Sequence, residues 1–114
     1  MPDKMKWKVT ALLFSGRENP AWKLTAAQQK NWMQLWEDAD LSNTEVEHVA
    51  KLGYTGCRLQ LHEHSHWQLY NGCVSFYEDG KIVSKNDEGR KMELFLLGTA
   101  EEELREILKE MKIV

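Results

Sequence analysis

Cross-links and one-sided charge are both scarce in this chain. Two cysteines, Cys57 and Cys73, stand among 114 residues, too few for a disulfide framework. A chain of this length buries roughly two-thirds of its unfolded surface and needs no staple to fold. Net charge is only −3, and the longest basic run, Lys4–Met5–Lys6–Trp7–Lys8, is broken at every second position. A nucleic-acid binder shows a basic excess or stripe instead, so no nucleic-acid partner is expected. No apolar run reaches six residues, so no membrane span is expected. The start, Met1–Pro2–Asp3–Lys4, runs directly into an alternating pattern without a signal-peptide core. Reduced thiols and a cytoplasmic location are the expectation. What is present, 42% hydrophobic and 29% charged residues, is the composition of a globular domain and excludes collagen, rods and low-complexity polymers.

Periodicity divides the chain into elements. Met5 to Phe14 reads as a strand, with Met5, Trp7, Val9, Ala11 and Leu13 on one face. Leu12 and Phe14 make the other face apolar as well, which predicts an interior strand. Ser15 to Leu24 reads as a loop around Gly16 and Asn19–Pro20. Thr25 and Gln28 form a capping box. Trp32, Leu35, Trp36 and Ala39 follow as one helical stripe. Acidic residues at 37, 38 and 40 oppose the macrodipole and predict an end near Ala39. Ser42–Glu45 is a second capping box, predicting a short helix with Val46, Val49 and Ala50 inward and Gly53 as its stop.

Tyr54 to Ser84 is strand sequence. Cys57, Leu59 and Leu61 alternate with polar residues, and Asn71–Gly72 predicts a type I′ hairpin. A two-residue loop there pairs Leu69 with Val74, Trp67 with Phe76 and Gln68 with Ser75. Glu78-Asp-Gly80 predicts the next turn, with Lys81 to Ser84 returning as a short strand. Asn86–Asp87 can cap a helix over about 88–97 with Met92, Phe95 and Leu96 inward. Thr99–Glu102 is a third capping box, before the stripe Leu104, Ile107, Leu108, Met111. Together these predict one α+β domain over residues 1–114. Its antiparallel sheet has four to five strands packed with helices on one face.

Two segments carry chemistry. His62, His64 and His66 alternate, and in an extended chain three imidazoles would share one side, a ligand set for zinc, copper or nickel. Glu63 and Ser65 would then continue the apolar face of Cys57, Leu59 and Leu61, so a polar turn is favoured and the divalent transition metal is the alternative reading. The second segment is Phe14-Ser-Gly-Arg-Glu-Asn-Pro-Ala-Trp22. Arg17 can offer a two-pronged fork to a carboxylate or phosphate, Asn19 can shape the turn, and Trp22 can stack. For both segments the structural reading is favoured: a solvated turn for the histidines, and for the loop Arg17 bonding loop carbonyls, Asn19 making an Asx turn and Trp22 plugging the core.

The Ser15-Gly16-Arg17, Asn19-Pro20 and Trp22 positions resemble a Ser-Gly-Arg-Pro-Asn-Pro-x-Trp signature of small uncharacterised bacterial proteins. Glu18 departs from it by replacing a proline. The resemblance extends faintly to Tyr54-Thr-Gly56 and Met92–Leu97. It implies a single α+β domain and brings no activity. No serine elbow or other catalytic constellation is present. The sequence therefore reads as a non-catalytic binding or accessory domain without a cofactor. Its partner, a protein or a small anionic ligand, would dock on the 15–24 loop through Arg17, Asn19 and Trp22. A metal-binding protein and a small enzyme are the alternatives.

Overall fold

The computed structural model describes residues 6–13, 19–46 and 53–114. Its strands are β1 (Lys8–Ala11), β2 (Ala21–Lys23), β3 (Cys57–His62), β4 (Ser65–Tyr70), β5 (Cys73–Glu78) and β6 (Lys81–Asn86). The helices are α1 (Ala26–Asp38), α2 (Lys91–Leu97) and α3 (Glu102–Glu110). The six strands form one antiparallel sheet in the order β2-β1-β3-β4-β5-β6. This is an α+β arrangement with one strand more than the expected four to five. The addition is β2, which lies in the segment expected to be loop. Three residues are too few to display an alternation, and only pairing with β1 makes them a strand. β1 is interior, as its two apolar faces predicted.

The β4–β5 register is the predicted one: Leu69 faces Val74, Trp67 faces Phe76 and Gln68 faces Ser75. Asn71 (φ 52°) and Gly72 (φ 86°) both take the left-handed region that a type I′ turn requires. Asp79 and Gly80 repeat the device between β5 and β6. Alternation then collects Val9, Leu59, Trp67 and Phe76, and beside them Ala11, Cys57, Leu69 and Val74, on the same side of the sheet. Trp32 of α1, Met92, Leu96 and Leu97 of α2, and Leu108 of α3 join these residues in one core. Trp67 is its hub. Its ring meets Phe76 at 4.5 Å, Trp32 edge-on at 5.4 Å and Trp7 stacked at 6.1 Å.

The capping predictions divide. Thr25 and Gln28 make both bonds of their box, and α1 stops at Ala39. Ser42 does not open a helix. Its hydroxyl accepts from Thr44 N–H, as a cap or a serine turn would, but residues 43–46 that follow are not helical. Residues 40–42 run beside β6 through Ser42 N–H to Ser84 O and Asn86 N–H to Asp40 O. Val46 N–H then donates to Ser75 Oγ at 2.9 Å. Among the described residues 40–46, strand pairing and side-chain bonds take the place of a first helical turn. Val49 and Ala50 lie outside the described residues, as do Met5 and Phe14. Thr99 is likewise not the cap of α3. The N-cap is Glu101, and the Thr99 hydroxyl donates to Leu96 O at 2.6 Å. No helix among the described residues is long and apolar enough to cross a membrane.

Candidate functional site

Asn19 and Trp22 of the corner before α1 are both tied inward. Asn19 Oδ1 accepts Leu13 N–H at 2.9 Å, which ties residue 19 to the chain just beyond β1. Trp22 Nε1 donates to Thr99 Oγ1 at 2.7 Å across 77 residues. Thr99 passes the chain of bonds on to α2 through Leu96 O. The indole is therefore a strut between β2 and the α2–α3 junction, with its ring half-buried. Arg17 lies outside the described residues.

The strut sets one wall of a groove. Pro20, Ala21 and Trp22 face Leu104 and Ile107 of α3 across about 280 Å³, with Glu101 and Glu103 on the rim. The predicted α3 stripe explains the opening. Leu108 is fully buried, but Ile107 is 45% and Met111 42% exposed. The helix carries a wider apolar face than the sheet covers, and Ile107 of that surplus lines the groove with Leu104. Glu102 and Glu103 in the first turn of α3 sit where the helix dipole favours negative charge.

The three histidines are separated rather than gathered. β3 ends at His62 and β4 begins at Ser65, leaving Glu63 and His64 as a tight polar turn. His62 Nε2 lies 2.9 Å from Ser65 Oγ, which also donates to Glu78. His66 stacks on Tyr77 at 4.9 Å between centroids. His64 is exposed in the turn itself. Among the described residues no group of three histidine, cysteine or acidic side chains is placed to share an ion.

A second site was not anticipated from the sequence. Met92 and Leu96 of α2 are buried and Phe95 packs against the core, as expected, but Glu93 and Leu97 are buried as well, so the helix carries Glu93 inside. The Glu93 side chain is 1% exposed. Tyr54 OH and Arg90 Nη2 both donate to its Oε2, the latter at 3.0 Å, while Oε1 has no partner among the described residues. Leu97, four residues along, was the available signal that position 93 faces inward.

Asp87 lies beneath this group, its two oxygens accepting Met92 N–H at 2.7 Å and Glu93 N–H at 2.9 Å. Burial raises the Tyr54 phenol above its usual range, with Cys57 and Glu93 adding to the effect. Burial likewise holds the Cys57 thiol well above the ordinary value. The hydrogen bond to Glu93 raises Arg90 further and fixes its charge. Tyr54, Asn71, Arg90, Glu93 and Lys112 line an open cavity of about 190 Å³ here. No protein-family model, curated protein or solved structure matches the chain.

Proposed function

We propose that the protein is a small non-catalytic binding module that docks a segment of a partner protein in the groove between β2 and α3. The observation that carries this reading is the exposed part of the α3 stripe, Ile107 with Leu104, facing a Trp22 ring held from behind by Thr99. Charge complementarity specifies the occupant. Glu101 and Glu103 edge the groove, so it takes apolar side chains flanked by lysine or arginine. The corner contributes the Trp22 ring face, with Asn19 accepting Leu13 N–H just beyond β1. The two cysteines are free, in keeping with a cytoplasmic protein.

The test is a calorimetric titration of the purified protein with two synthetic peptides. They share their apolar residues and differ only in carrying lysine or glutamate at the flanks. The lysine peptide binds, weakens with added salt, and loses affinity about tenfold or more in Ile107→Asp, as expected for a central apolar contact. Equal binding of both peptides, or binding indifferent to Ile107→Asp, rejects the groove as the docking surface.

A further inference from the structure

We infer that the cavity beside Glu93 is a binding site for a small monocarboxylate, held by Arg90 and Lys112. Three observations, independent of the β2–α3 groove, lead there.

The first is the cost of Glu93. A carboxylate 1% exposed, with one oxygen unpartnered among the described residues, is a poor choice for stability, because a well-packed apolar side chain usually does as well or better. What the buried carboxylate does achieve is orientation. It pins one terminal nitrogen of Arg90 at 3.0 Å, and Tyr54 also bonds the side chain, so the guanidinium is held in place at the cavity wall. A planar fork matches the two oxygens of a carboxylate.

The second is the backbone. Arg90 and Lys112 both line the cavity, and both hold φ of 60°, a left-handed conformation disfavoured for residues with a side chain. Lys112 occupies the position after α3 at which glycine is the usual residue. Ile113 N–H bonds Leu108 O at 2.9 Å and Lys112 N–H bonds Lys109 O at 3.0 Å, the bonding pattern of a glycine-terminated helix. Strained non-glycine residues of this kind concentrate at ligand sites. Here two cationic ones flank one opening.

The third is charge and size. Arg90 and Lys112 set against Glu93 leave one positive charge among the described lining residues, which balances a monoanion and under-neutralises a phosphate dianion. About 190 Å³ is below the roughly 300–1,000 Å³ of pockets for drug-sized ligands. Ile113 and the Tyr54 ring supply walls for a short hydrocarbon tail. Glu93 acts as a positioning residue, and Arg90 and Lys112 are the groups that touch the ligand.

The experiment is an amide-shift NMR titration of the full chain with acetate, propionate and butyrate, with inorganic phosphate and ammonium chloride as separate arms. The expected result is saturable binding of the carboxylates, with a Kd of about a millimolar or tighter and shifts at residues 54, 71, 90, 93 and 112. Lys112→Gly raises the melting temperature and weakens carboxylate binding, a pairing of opposite effects that a purely structural lysine does not produce. Glu93→Gln leaves the Arg90 and Lys112 charges uncompensated on the lining and shifts the preference from the monocarboxylates toward phosphate. Ile107→Asp leaves carboxylate binding unchanged, which separates this site from the groove. Absence of saturable carboxylate binding, tighter binding of phosphate, or unaltered affinity in Lys112→Gly overturns the inference.

Discussion

A Cβ built on Gly56 would lie 2.2 Å from Leu69 O, and its φ of +112° is one that side chains rarely adopt. Gly56→Ala therefore has to push β3 away from β4, and unfolds or destabilises the protein by more than about 2 kcal/mol, measurable by urea denaturation. At the opposite extreme, Lys112→Gly relieves a left-handed lysine and stabilises by roughly 1 kcal/mol. The cysteines also separate at this scale. Burial raises both thiols, Cys57 the more strongly, and Cys73 donates to Thr44 O. Native protein at neutral pH is expected to alkylate slowly at Cys73 and at Cys57 only after unfolding, as peptide mass spectrometry with and without denaturant would show. Gly56 as a position where only glycine fits was not legible, since the clash comes from a strand 13 residues away.

At the scale of elements, each helix depends on contacts from elsewhere in the chain. The acidic C-terminal end of α1 is answered by Lys85 of β6, whose Nζ donates to Trp36 O at 2.6 Å and lies 4.4 Å from the Trp36 ring centroid. Lys85→Met removes both interactions and costs about 1 kcal/mol. The start of α2 depends on Asp87, whose carboxyl is held above the usual range, chiefly by burial. Its folded value thus exceeds its unfolded one, and the native state binds the proton more tightly. The stability that proton contributes is present at low pH and is lost as pH rises through the raised value. Relative to Asp87→Asn, the parent protein should lose stability with rising pH over the range immediately above 3.8. Parallel urea titrations of the two proteins would show a difference of the opposite sign if burial did not dominate. In α3, Leu108→Ala costs roughly 2–5 kcal/mol. Ile107→Ala stays within about 1 kcal/mol because its side chain is nearly half exposed.

At the scale of the whole molecule, the sheet order and the core follow from one pattern. Val9, Ala11, Cys57, Leu59, Trp67, Leu69 and Val74 are the odd-phase residues of β1, β3 and β4 and the matching residue of β5. Their alternation and the Asn71–Gly72 turn were sufficient to predict the core and the β4–β5 register, because period-two burial and type I′ chirality are local properties of the chain. The Thr25 cap was legible for the same reason. The strand at 21–23, the failure of Ser42 and Thr99 to cap helices, and the inward turn of Glu93 were settled at a distance. A three-residue segment becomes a strand only when β1 lies beside it. A threonine serves as a cap only if Trp22 and Leu96 make no other use of its hydroxyl. The sequence by itself thus determined the apolar core positions of β1 and β3 to β5 and the hairpin turns between β4, β5 and β6. Tertiary structure alone decided which polar groups meet: Trp22 with Thr99 over 77 positions, and Tyr54 with Glu93 over 39. Hydrogen bonds between side chains carry no periodicity, so nothing in the spacing of residues announces them.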